Sequence, residues 1–270
     1  MPEFSSQNFN HLKIHTQYSI CEGAAKIDDL QEFSKTNKLK SLGLCDTSNL
    51  CGALEFAEKI SKSGTQPIIG TQINFKFDDT IGLLPLIALN EKGYKKIIEL
   101  SSKSYLENDV LSVPHVDLKD LLVTSDGLIL LSGTVLGLFG KLFQKGKSDE
   151  IKKIYKDLKS VFGDKFYLEI QRHGDENEVY FENYNLNISS ELEIPIIATN
   201  ETFYLNKEMH EAHDALICIG TKTYINENNR IKYSNQHYFK SHEEMLQLFS
   251  DLPEALENNY NLPFRCNFRP

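Results

Sequence analysis

The sequence contains no CxxC pair, no apolar run long enough to cross a bilayer, and no surplus of basic residues. Each absence removes a class of protein. The five cysteines (Cys21, Cys45, Cys51, Cys218 and Cys266) are odd in number and widely spaced. They read as reduced thiols of a cytoplasmic protein, not as a disulfide framework or a zinc knuckle. The longest apolar stretches, such as residues 127–131, fall far short of the roughly 20 residues a membrane helix needs. Residues 1–6 lack the basic and apolar regions of a signal peptide. Asp and Glu outnumber Lys and Arg by 38 to 29, a formal net charge of −9. That balance argues against this chain gripping a nucleic-acid backbone alone, which needs clustered cations to displace counterions. Gly-rich phosphate loops, short internal repeats and low-complexity tracts are also missing.

What is present is an ordinary globular composition, 40% hydrophobic and 25% charged, able to bury a sizeable core. Apolar spacing predicts strands at 41–46, 66–77, 84–90, 127–133, 166–171 and 194–200. Helices are predicted between them, at 24–37, 49–63, about 94–105, 116–122, 136–144, 148–162, 176–191 and 206–219. Residues 221–240 read as irregular, and 241–249 as a helix with Ser241 as its N-cap. Strands alternating with helices, with no Gly/Pro/Ser linker, imply a mainly parallel sheet closed or nearly closed into a barrel of six or seven units. Chemistry in such a barrel gathers at the C-terminal ends of the strands. The chain reads as a single domain over 1–270, with about 221–270 a less regular C-terminal extension. Its tail carries no terminating signal and reads as a cut within a chain that continues.

The stretch 10–23 focuses the search for chemistry. His11, Lys13 and His15 alternate with Leu12 and Ile14, so on a strand all three share one face. Two imidazoles followed by Glu22 suggest a metal site. The lysine between them is an ammonium with donors only, placed where a cation would need a ligand. At the other strand ends the strong ligands are Asp46 and Glu201. For these carboxylates the competing reading is a capped loop or a surface ion pair.

Residues 11–26 (His-Leu-Lys-Ile-His-Thr-Gln-Tyr-Ser, then Glu-Gly-Ala-Ala-Lys) resemble the opening of the polymerase and histidinol phosphatase (PHP) domain, in the form found at the N-terminus of bacterial replicative DNA polymerase III alpha subunits. Leu-Cys-Asp-Thr-Ser-Asn-Leu-Cys-Gly-Ala-Leu-Glu-Phe at 44–56, Pro-Ile-Ile-Gly-Thr at 67–71, Gly-Tyr at 93–94 and residues 127–133, 197–200 and 253–256 extend the likeness in order along the chain. The fold implied is α/β, a distorted TIM-like (β/α)7 barrel with mostly parallel strands alternating with helices.

Metal-binding members of that family hold a metal cluster at the barrel mouth. The ligand positions fall here on Lys13, His15, Glu22, Thr47, Gln72, Leu83, Thr134, Glu201 and Phe203. Of these only His15, Glu22 and Glu201 remain strong ligands, so no metal, no other cofactor and no catalytic residue is expected in this chain. Lys13 is expected to pair with Glu22, Asp46 or Glu201, replacing part of the lost metal charge. The implied role is a structural domain supporting a DNA-directed DNA polymerase and docking the proofreading exonuclease (epsilon) subunit. DNA contacts and the polymerase's Mg²⁺ would belong to the rest of the alpha chain. The alternative is an active metal-dependent phosphoesterase, 3′–5′ exonuclease or pyrophosphatase, which needs metals to activate water. Other candidates carry less chemistry. His11 and His173 read as hydrogen-bonded histidines, His210 and His213 as helix-surface residues, and Cys45 and Cys51 as small packed hydrophobes.

Overall fold

The computed structural model describes residues 9–123 and 125–270; the reading of residues 1–6 lies outside them. In chain order the elements are β1 (Lys13–Ile14), α1 (Ile27–Thr36), β2 (Ser41–Thr47), α2 (Ala53–Lys62), β3 (Gln66–Phe77), β4 (Thr80–Ala88), α3 (Glu91–Leu106), β5 (Val116–Asp117) and α4 (Lys119–Leu122). They continue with β6 (Leu128–Leu131), α5 (Leu138–Gln144), α6 (Ser148–Phe162), β7 (Phe166–Ile170), α7 (Glu176–Leu192), β8 (Ile196–Ala198), β9 (Glu201–Thr202), α8 (His210–Thr221), α9 (His242–Leu248) and α10 (Pro253–Asn261).

Local chemistry accounts for several boundaries. In α6, Ile151, Ile154, Tyr155, Leu158 and Phe162 all turn inward, the apolar stripe expected of a helix with one buried face. Asp175 and Ser241 cap α7 and α9 through reciprocal capping boxes with Glu178 and Glu244. Asn90 caps α3 by accepting the Gly93 N–H.

The strands run in the order β8-β7-β6-β4-β3-β2-β1-β9. Pairing is parallel except around β4, which is antiparallel to both β3 and β6. β3 and β4 form a tight hairpin with Phe77 opposite Thr80, and Asp78 takes the left-handed conformation its turn requires. β8 pairs with β7 and β9 pairs with β1, yet only Thr199 and Asn200 separate them. One stretch of chain therefore joins both ends of the strand path and closes a distorted TIM-like barrel.

The helices cover the outside. One apolar cluster packs α3, α5, α6 and α7 on β4, β6 and β7, and another packs α1 and α2 on β2 and β3. The interior holds Leu12, Ile68, Ile87, Ile129, Leu131, Tyr167 and Ile197, closed from below by Leu262 and Cys266. Gln66 Nε2 donates to the carbonyls of Pro263 (3.0 Å) and Cys266 (2.7 Å), fastening this floor.

Candidate functional site

Period-two alternation places Ile68, Gly70 and Gln72 of β3 on the inward face, and Tyr167, Glu169 and Gln171 along β7. The inward layers thus change from apolar at the floor to polar at the mouth. Lys13, His15, Glu169, Gln72, Gln171 and Glu201 are all buried there. Polar side chains lining a barrel mouth must satisfy one another, because water reaches them poorly.

Lys13 sits among them. Its Nζ lies 3.2 Å from Glu201 Oε1 and 3.4 Å from Glu169 Oε1, with 1% of the lysine side chain exposed. Burial alone would lower the ammonium's pKa, but the two carboxylates prevail and hold it above the ordinary lysine value. His15 Nε2–H donates to the same Glu201 oxygen at 3.0 Å. Burial works to raise the Glu201 pKa; Lys13 and His15 outweigh it and keep the carboxyl well below its usual range. Glu169 Oε1 also accepts from the Thr199 hydroxyl and from Gln171 Nε2. Of the three partners expected for Lys13, Glu201 is the one found. Glu169, inside β7, is the second partner.

The remaining carboxylates are tied elsewhere. Glu22 accepts from the Thr47 hydroxyl, and Gln72 Nε2 donates to Thr47 Oγ1 at 3.0 Å. Asp46 accepts the Thr16 N–H (2.6 Å), the Thr16 hydroxyl (2.8 Å) and the Ser19 hydroxyl (2.7 Å), which fixes the turn after β1. Phe203 stacks on His15 with centroids 4.6 Å apart and on His213 at 5.2 Å.

Lys13, Glu22, Gln72, Leu83, Thr134, Glu201 and Phe203 line one cavity of about 40 Å³. His15 and Thr47 bond to its walls through Glu201 and Glu22. Positions spread through the sequence from 13 to 203 therefore converge.

The donor set does not fit a cluster of divalent cations. An ammonium stands on the wall, Leu83 and Phe203 offer only carbon, and Gln72 and Thr47 are committed to each other and to Glu22. Among the described residues, no group of three or more His, Cys, Asp or Glu side chains is arranged to hold a metal ion. Glu169 Oε2 is buried without a partner, but Glu169 borders a separate void of about 10 Å³, room for no more than one water.

The other sequence candidates separate. His11 is buried, donates from Nε2 to the Lys240 carbonyl at 2.9 Å and packs on Phe239. His210 and His213 do not act as a pair: they donate to the carbonyls of Tyr233 and Glu22, respectively. His173 stacks on His237 at the mouth. Cys45 is buried as expected, whereas Cys51 is exposed. Its turn is held open to solvent by Asn49, whose side chain accepts the Cys51 N–H at 3.0 Å. Two mouth residues were missed, Glu169 and His237. A glutamate inside the apolar run 166–170 was a readable signal, since an isolated charge in a buried strand needs a partner; His237 lies in an irregular polar segment with no comparable signal.

A ring of strands closed by one broken segment, with this mouth, defines a PHP-type barrel. The sequence model of the PHP domain matches residues 11–173, and the chain belongs to the PHP domain family. Curated relatives are DNA polymerase III alpha subunits. That of Rickettsia conorii is 40% identical over 96% of this chain and 22% of its own length. That of Caulobacter vibrioides is 36% identical over 99% of this chain and 24% of the relative, and that of Vibrio cholerae 33% identical over 97% and 23%. The chain thus spans less than a quarter of the length of these relatives. Among solved structures, an amidohydrolase from Chromobacterium violaceum aligns with a TM-score of 0.48 and 9% identity, covering 72% of this chain and 87% of that one. No described helix is long and apolar enough to cross a membrane.

Proposed function

We propose that this chain acts as the N-terminal PHP region of a DNA polymerase III alpha subunit and serves there as a metal-free structural domain in bacterial DNA replication. The relatives' names and the match along nearly the whole chain support the placement. The observation that carries the metal-free reading is Lys13 buried between Glu169 and Glu201. One fixed positive charge neutralises carboxylates that would otherwise repel one another in a dry mouth. Lys13, His15, Glu22, Thr47, Gln72, Leu83, Thr134, Glu201 and Phe203 are then vestigial ligand positions. The domain supplies scaffold to the rest of the alpha chain in the cytoplasm and docks the proofreading exonuclease subunit. Nucleotidyl transfer, its Mg²⁺ and most DNA contact lie in the rest of that polymerase. Titrating the protein with its cognate proofreading subunit in a calorimeter tests the partner role; no binding at micromolar concentrations would remove it.

A further inference from the structure

Beside the Lys13 pocket lies a larger cavity of about 290 Å³, formed by the turn after β6, the end of β7, Glu201 and residues 232–237. Two buried side chains on its wall carry acceptors with no partner among the described residues. Gln171 must turn Nε2 toward the Glu169 carboxylate (2.9 Å) and Thr199 Oγ1 (2.9 Å), because a carboxylate only accepts. Its Oε1 is left for the cavity. His237 Nδ1–H donates to the Glu201 carbonyl at 3.2 Å, which leaves Nε2 as a bare lone pair.

The same peptide segment fixes the neighbouring ring. Glu201 N–H donates to His173 Nε2 at 3.3 Å, so His173 carries its proton on Nδ1, 3.4 Å from Glu178 Oε1. The two imidazoles stack 4.0 Å apart and 2° from parallel, locked in place by the backbone of Glu201. Burial keeps both pKa values below the ordinary imidazole value, so both rings are neutral near pH 7. Toward the rim, the cavity adds the carboxylates of Asp175 and Glu178 and the exposed Lys232. Thr134 and Tyr233 also line it, but a hydroxyl donates or accepts and does not set the sign of a ligand.

We propose that this cavity binds an alkyl-guanidinium head group, as carried by small arginine-like amines or by an arginine side chain of a polypeptide. A planar fork of N–H donors matches the separated lone pairs of Gln171 Oε1 and His237 Nε2, which a spherical ammonium or an anion does not. The Glu178 carboxylate, whose Oε2 already accepts the His173, Gly174 and Asp175 N–H groups, lends negative charge. The cavity is a few times larger than such a head group, which leaves room for its alkyl stem.

Calorimetric titration of the protein at neutral pH with ethylguanidinium tests it, with inorganic phosphate as the anionic control. Saturable one-to-one binding with a Kd on the order of 1 mM is expected, and none for phosphate. His237→Phe keeps a ring in the stack but removes the lone pair, and weakens binding about tenfold, the loss of one hydrogen bond to a charged group. Lys232→Glu, at an exposed position that leaves the fold alone, strengthens it about threefold. A capped arginine-containing peptide that binds tighter than ethylguanidinium identifies a polypeptide source; equal or weaker binding identifies a small amine. Phosphate binding in its place, no ethylguanidinium heat far above 1 mM, or Lys232→Glu weakening the binding overturns the proposal.

Discussion

The Lys13 ammonium and the Glu169 carboxylate meet 3.4 Å apart, and neither side chain reaches solvent. They come from β1 and β7, so this pair, together with Glu201, spans the barrel interior.

Removing one member of a buried charge network leaves the others uncompensated, which is worse than removing all of it. Lys13→Ala is therefore expected to destabilise the protein by about 3–5 kcal/mol, read as a lower denaturant midpoint. Adding Glu169→Gln to Lys13→Ala should recover part of that loss by removing a stranded charge. An unchanged melting temperature in Lys13→Ala would show that the ammonium does not hold the barrel mouth together.

If a lysine replaces the metal charge, chelators have nothing to extract. Prolonged incubation with EDTA should leave the melting temperature where it was. Elemental analysis of protein purified without chelator should find less than one zinc or manganese per chain. Two or more bound ions per chain would reverse the metal-free assignment.

Acidification below about pH 6.5 should destabilise the fold through its buried histidines. Burial, the largest cause in each case, lowers the pKa of His11 and of His173 to about 3 and that of His237 well below its ordinary value. An unfolded chain protonates these rings near pH 6.5. Because the folded pKa values are depressed, the stabilisation is complete above about pH 6.5 and is lost progressively as pH falls toward 3. Each withheld proton contributes roughly 1.4 kcal/mol per pH unit in that window. His11→Phe should flatten the decline in melting temperature between pH 6.5 and 5, and an identical slope would contradict it.

Gly93, in the first turn of α3, lies against the backbone of Gly127, just ahead of β6. A β-carbon there would sit 1.7 Å from the Gly127 carbonyl oxygen, an atom already accepting the Leu89 N–H. Neither partner is the flexible end of a side chain, so the helix must shift. Gly93→Ala is expected to lower stability by about 1–3 kcal/mol, whereas Lys95→Ala on the exposed side of the same helix should stay within about 0.5 kcal/mol. Thermal melts of the two variants compare them directly.

The helices and the parallel strands were legible because an inward stripe such as that of α6 repeats at helical spacing and a buried strand such as 128–131 is a short unbroken apolar run. The direction of β4 was not, since alternation looks the same in either sense along a strand. Chain length held the missing clue: the few residues between 77 and 84 are too short for the crossover a parallel neighbour needs. At the site, the His15, Glu22 and Glu201 positions were visible as ligand types at strand ends. Glu169 lies one inward layer deeper than those ends and went unread. The tautomers of His173 and His237 depend on backbone geometry that no residue pattern encodes.

The closing segment 196–202 and the floor at Leu262 and Cys266 both lie late in the chain, beyond the PHP match at 11–173. During synthesis from the N-terminus, the strands up to β7 are made while the ring still has two open edges and no floor. Such a half-made barrel exposes unpaired strand edges and apolar interior to the cell. Its vulnerable interval lasts until the ribosome has delivered residues far from Lys13, so chaperone dependence should be greatest for nascent chains stalled between β7 and β9.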